Sequence, residues 1–309
     1  MPRTAPRKET TMFLHGNLMA AARALLSIPR PATPGLMAHL PETGGVLTLA
    51  LGDPLGGGAV LDLAAPLAVF HQHGARRTDL TSGLTADLLQ GAGNAARAWR
   101  TRVDLSAPGL HRIHAEAPVG RDPEGRGLVQ HAAACFVLRG AATATPEPLG
   151  LAVEILPDLL SPGFLPGMRF SARVLAQGHP LTATTVHLER VGAEPVGTQV
   201  QALPDHGAPL WIVAETDREG RFRVSLPAPG LWAITATGPI GWSGLRPVRH
   251  VTTLWQRFGS PGQGTGKESE ALAMAWETAA VRPPHREAAV PGEVAPVPAP
   301  EPRPRESTA

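Results

Sequence analysis

The side chains in this sequence best suited to chemistry are its histidines, twelve in 309 residues, against a single cysteine. His71 and His73 stand two apart at the end of the apolar segment LAVFHQH. Side chains alternate along a strand, so both imidazoles would leave on one face and could share a divalent ion. Imidazole nitrogen suits borderline transition ions, and no thiolate is on offer beyond Cys135. The competing reading is an ordinary surface pair, which is the commoner meaning of a His-x-His. His111 and His114 are three apart, so they fall on opposite faces of a strand and do not form a comparable pair. His131, His187, His206 and His250 are weaker candidates.

The other reactive groups point away from catalysis. Cys135 lies in the apolar run AAACFVL with no basic neighbour to favour a thiolate, so it reads as an inert buried thiol. Being alone, it allows neither an intrachain disulfide nor a cysteine-based zinc site. Asp62, Asp79, Glu116, Glu154 and Asp217 fall near expected strand ends and read as solvated carboxylates rather than an acid–base pair. Asp79 is expected to answer Arg76 or Arg77. The segment GQGTGKE at 262–268 echoes a phosphate loop, but Pro261 takes the place of its first glycine and Glu268 that of its hydroxyl. GDPLGGG at 52–58 lacks the strand-to-helix setting of a dinucleotide fingerprint and reads as a hairpin loop. No G-x-S-x-G or H-E-x-x-H occurs. The chain is not read as an enzyme.

The elements that must position these groups are strands. The chain has 34 glycines and 33 prolines, more than a fifth of its length, which favours many turns and short strands. The net charge is only +2 and the charges are interspersed, so nucleic acid is not an expected partner. Arg23, Pro29, Pro31 and Pro34 interrupt the closest approach to a membrane-spanning run. Residues 1–37 read as a leader. Arg3, Arg7 and Lys8, the apolar residues 18–28 and the small Ala38 outline an atypical export signal, with Arg23 as its defect. Export would place the protein in the periplasm; an irregular leader of a cytoplasmic protein is the other reading.

Residues 38–144 read as a first β-rich domain, with strands expected at 46–51, 67–71, 109–117 and 129–138. Residues 85–99 suit either a short helix or an irregular excursion. After the TPEP linker at 145–148, residues 149–258 have a cleaner rhythm. Met168, Phe170, Ala172 and Val174 alternate with Arg169, Ser171 and Arg173, and Phe222, Val224 and Leu226 alternate with Arg221, Arg223 and Ser225. About seven strands in this stretch give the count and size of an immunoglobulin-like sandwich. The expected fold is all-β, two β-sandwich domains with the second immunoglobulin-like. Residues 259–309 form a Pro-rich tail with one candidate helix at 268–281.

Three segments of the second domain resemble the NikM-like family, extracytoplasmic accessory components found with nickel and cobalt uptake transporters. They are LGLAVEILPD, PGMRFSARVLAQGHPL and ETDREGRFRVSLPAPGLWAITATG. The matching positions are Glu154, Ile155 and Pro157; Gly167, Gly178, Pro180 and Leu181; Thr216, Asp217, Gly220 and Phe222; and Gly230 and Trp232. His179 stands where the family usually has lysine. These are scaffold residues: glycines for turns, Asp217 to bond its own turn, Trp232 for the core. A weaker resemblance reaches back to residue 38, although the stretch LGDPLGGGAV lacks the histidine that related first domains carry.

The resemblance implies a periplasmic two-domain β protein with membrane subunits of a metal-uptake transporter as partners and Ni²⁺ or Co²⁺ as the ion. His39 then joins the candidate ligands, because cleavage after Ala38 would leave a free amino terminus beside its imidazole. The expected metal ligands are therefore His39, His71 and His73. A structural or protein-interaction β-sandwich module that binds no metal is the alternative.

Overall fold

The computed structural model describes residues 35–40, 45–52, 60–91, 93–122, 125, 127–140, 143–160, 169–191, 193–196, 198–202 and 210–259. They belong to the compact unit Met1–Gln263; a second unit is Gly264–Ala309. The helix expected at 268–281 and the loop at 53–59 lie outside the described residues.

The first half of the chain supplies β1 (Gly35–His39), β2 (Gly45–Gly52), β3 (Val60–Leu61), β4 (Ala68–His73), β5 (Arg76–Asp79), β6 (Thr85–Gln90), β7 (Ala95–Val103), β8 (Gly109–Glu116), β9 (Gly120–Arg121) and β10 (Leu128–Arg139). The second half supplies β11 (Glu154–Pro157), β12 (Arg169–Ala176), β13 (His179–Pro180), β14 (Thr185–Arg190), β15 (Ala193–Val196), β16 (Gln199–Ala202), β17 (Trp211–Glu215), β18 (Arg221–Ser225), β19 (Gly230–Ser243) and β20 (Arg246–Phe258). Among the described residues the one helical element is a 3-10 turn at Thr81–Gly83. The class is all-β.

The strands build three sheets. One runs β1-β2-β7-β6-β16-β15 with β3 against β2; the second runs β17-β14-β19-β20-β10-β8-β4-β5 with β9 against β10; the third runs β11-β12-β13 with β18 against β12. In the second half, β11, β12 and β18 form one layer while β17, β14, β19 and β20 form the other. That is the A-B-E and C′-C-F-G arrangement of an immunoglobulin-like sandwich. The first half makes its own sandwich, with the β1–β7 sheet facing β10, β8 and β4.

The long second sheet carries a core on each face, and the period of two in the sequence decides which residue serves which. In β10, Ala133 and Cys135 join the first core while Ala134 and Phe136 join the second. In β19, Leu231 and Ala233 face the first core and Trp232, Ile234 and Ala236 the second. Such strands are covered on both sides, which is why 129–138 reads as a continuous apolar run rather than a clean alternation.

The sheet also crosses the expected boundary at 145–148. β10 and β20 pair in parallel from Leu128 opposite Val248 to Cys135 opposite Trp255, so the two sandwiches share one sheet. A buried ion pair reinforces the junction. The Arg112 guanidinium on β8 donates to Glu154 Oε2 on β11 at 2.7 Å, and Glu154 also accepts from the Leu149 and Leu151 amides. Glu154 is 1% exposed. This corrects its reading as a solvated strand end: a carboxylate can be buried here because a cation and two backbone donors meet it.

Residues 85–99 form neither a helix nor an irregular excursion but the hairpin β6–β7, closed where the Gly91 amide donates to the Asn94 carbonyl. Leu89, Ala96 and Ala98 are buried in the first core. Burial against the facing sheet outweighs the weak helical spacing of Leu88, Leu89, Ala92, Ala95 and Ala96. Residues 35–37, read as leader, belong to β1. Leu36, Met37 and Ala38 are buried within β1, and the Trp255 indole donates to the Leu36 carbonyl at 2.9 Å. Asp217 does bond its own turn, accepting from the Glu219 and Arg221 amides, and Trp232 is fully buried.

Candidate functional site

β4 and β8 pair in register with His73 opposite His111 and His71 opposite Ile113. Alternation therefore puts His71, His73 and His111 on one face, His111 directly across from one histidine and diagonal to the other. The three imidazoles touch. His71 Nε2 lies 2.9 Å from His111 Nδ1, and the His73 and His111 rings stack with centroids 4.4 Å apart. His71 and His73 share a face, and His111 is in contact with each of them.

The 104–108 loop, between β7 and β8, fixes the rings. His111 Nε2 donates to the Ala107 carbonyl at 2.7 Å and His73 Nε2 to the Pro108 carbonyl at 2.9 Å. A carbonyl can only accept, so both Nε2 atoms carry protons. His71 Nε2 and His111 Nδ1 then share one proton between them. Gly109 makes room for this packing: its φ is +123°, and a Cβ there would lie 3.0 Å from His73 Nε2.

Burial holds the His71 pKa below the ordinary histidine value, with the neighbouring His111 and His73 pushing the same way and Asp104 against them. His71 is thus neutral at neutral pH, the form in which imidazole ligates metals. An ion held by both rings would take the place of the proton between His71 Nε2 and His111 Nδ1, which are 2.9 Å apart. Among the described residues no three His, Cys, Asp or Glu side chains already converge on a single ion position. His39 stands on β1, in a different sheet, opposite Thr48.

His111 and His114 do face opposite ways. His114 packs against Phe70 at a centroid separation of 5.0 Å, and its Nε2 lies 3.0 Å from Glu116 Oε1. Burial lowers its pKa, although Glu116 opposes the shift. His114, Glu116, Gln130, His250 and Thr252 line a cavity of about 20 Å³, room for one water-sized group. No local pattern signals this cavity, because three strands and the 151–153 segment bring its lining together.

The remaining reactive groups are structural. Cys135 is fully buried, and its thiol is pushed up to about 12 by burial, as an inert core residue requires. Asp79 does not chiefly answer an arginine; it accepts at 2.8 Å from the amide of Thr81, the first residue of the 3-10 turn. His131, beside the ion pair of Asp122 and Arg249, is held neutral by burial, with a pKa of about 4.

Comparison with solved structures finds distant neighbours. They include dimeric latent PorU from Porphyromonas gingivalis (12% identity over 74% of this chain and 20% of that one, TM-score 0.18). Another is the tetra-tandem repeat in the extending region of a large adhesion protein (11%, 73% and 49%, TM-score 0.20). A third is the two tandem V-type regions of the chitin-binding protein VCBP3 (12%, 72% and 99%, TM-score 0.18). The chain thus spans a fifth of the first and about half of the second, and superpositions this weak carry no functional argument. No curated protein matches the chain. The family described as a domain of unknown function, DUF4198, matches residues 39–239, from the end of β1 to within β19 and across the whole histidine group, and the chain belongs to that family.

Proposed function

We propose that the protein is an extracytoplasmic accessory protein that binds Ni²⁺ or Co²⁺ and assists its uptake by the membrane subunits of a transporter. The observation that carries this reading is the contact of His71, His73 and His111 at one end of β4 and β8. Three imidazoles form a donor set suited to these ions, and a cluster on a rigid sheet is already positioned. His71 and His111 would hold the ion, and His73 would join by giving up its bond to Pro108. The proposed role is binding rather than catalysis. The resemblance of the second sandwich to the NikM-like family supports the choice of ion and partner.

A second reading, a protein-interaction module that binds no metal, is favoured by one feature. Four of the six imidazole nitrogens are already engaged, with one another or with the 104–108 loop. Uptake of nickel or cobalt at limiting concentration separates the two, measured in the native host lacking this protein. Complementation by the wild type should restore uptake, and His71→Ala/His111→Ala should not. Equal uptake in all three strains would sink the metal reading.

A further inference from the structure

The three most exposed large apolar side chains among the described residues are Ile240, Trp242 and Leu245, at 66%, 72% and 97% exposure. All three stand on one hairpin. β14 last pairs with β19 at Ala236, and β10 first pairs with β20 at Val248. Between those limits β19 and β20 pair only with each other, so residues 237–247 are a two-stranded ribbon beyond the sheet. The register shifts between Thr237 and Ile240, and a bulge of this kind increases twist and re-aims the side chains beyond it. Ser243 and Arg246 then close a two-residue turn of Gly244 and Leu245.

Folding does not explain these residues. Two-residue hairpin turns favour Asn, Asp and Gly, and unpaired edges are ordinarily guarded by charge. Here the turn carries a leucine and the ribbon a tryptophan and an isoleucine, and among the described residues nothing covers them. Between residues 237 and 250 there is no acidic side chain. Arg246 is exposed at the turn. Across the root of the ribbon, Gly241, Val248, Leu128 and Arg121 lie in one register row, and Arg121 is also exposed. Arg249 is engaged by Asp122.

We propose that this hairpin tip is a membrane-docking wedge. Trp242, Leu245 and Ile240 enter the interface of a bilayer bearing anionic headgroups, and Arg246 and Arg121 meet the phosphates. Tryptophan is suited to that boundary because its ring is apolar while its N–H finds a partner in the headgroup layer. A narrow convex tip needs depth rather than a matching surface, which fits a bilayer better than a folded partner. Three side chains and two cations give reversible rather than permanent attachment.

The test is co-sedimentation of the full chain with vesicles of phosphatidylcholine containing about a third phosphatidylglycerol, and with phosphatidylcholine alone. The chain should pellet with the anionic vesicles and release as salt rises. Partition should fall about tenfold or more in Trp242→Ala/Leu245→Ser, and less in Arg246→Glu. Circular dichroism should show the variants folded, since the replaced side chains bury nothing. The proposal is overturned by no pelleting at millimolar lipid, or by equal pelleting of the double variant. It is also overturned by self-association that depends on Leu245 without lipid, which would assign the tip to a second copy of the chain.

Discussion

Replacing Glu154 by glutamine should destabilise the protein far more than the change of one atom suggests. The substitution keeps the shape and one acceptor for the Leu149 or Leu151 amide, but it removes the charge that meets Arg112 at 2.7 Å. The Arg112 side chain is only 6% exposed, and its alternatives are one bond to the Glu147 carbonyl and the Phe136 ring face at 5.5 Å. Burial already lowers the Arg112 pKa, with Glu154 acting against the shift. Leaving such a cation unpaired costs about 3–5 kcal/mol, and the retained acceptor puts Glu154→Gln near 3. For a folded unit of this size that is a fall in Tm of about 6–12 °C. Thermal and urea unfolding followed by far-ultraviolet circular dichroism would measure it, with Arg112→Met and Arg112→Met/Glu154→Gln completing a cycle. The double variant should lose less than the sum of the singles, since no charge is left buried. A loss under about 1 kcal/mol for Glu154→Gln, or strict additivity, would refute the account of the junction.

Three further outcomes follow from other parts of the fold. His131 takes up a proton at about pH 4 when folded and near 6.5 when unfolded, so the unfolded chain binds more protons in between. Stability should therefore fall as pH drops through that window, by about 3 kcal/mol in all, with His71 and His114 adding in the same direction. His131→Leu should flatten the slope, and an unchanged pH profile of urea midpoints would contradict it. Gly220 has φ +70°, and a Cβ there would lie 2.7 Å from the Val174 carbonyl oxygen, whereas Gly178 at φ +81° has open space. Gly220→Ala should cost about 2 kcal/mol or more and Gly178→Ala about 1, compared by urea unfolding; equal losses would remove the collision from the explanation. A chain beginning at His39 loses the buried Leu36, Met37 and Ala38 and the acceptor for Trp255 Nε1. It should be less stable than one beginning at Pro34 by about 4 kcal/mol, and equal melting would show β1 to be dispensable.

The sequence made the second sandwich legible because its strands β12 and β18 are covered on one side, and one-sided burial writes a period of two. Asp217 and Trp232 were readable for the same local reasons, a turn that needs a side-chain acceptor and a core that needs volume. The shared sheet was not legible. Parallel pairing of β10 with β20 joins residues more than a hundred apart, and a strand buried on both faces carries no alternation to reveal its partners. β1 hid within an apparent leader because three buried residues beside a proline cluster make no pattern by themselves. At the candidate site, the spacing of His71 and His73 announced a shared face. Sequence spacing compares His111 with His114, whereas its partner is the residue opposite on β4. Cross-strand register decides that partnership, and register depends on turns and cores distant from the histidines.

Equilibrium titration of the wild-type chain with Ni²⁺ near pH 7.5, alongside His111→Ala and His39→Ala, tests the histidine cluster most directly. The proposed metal role predicts binding by the wild type, little change in His39→Ala, and a loss of about tenfold or more in His111→Ala. No binding by the wild type, or binding in which His111 makes no difference, would contradict the assignment of metal to His71, His73 and His111.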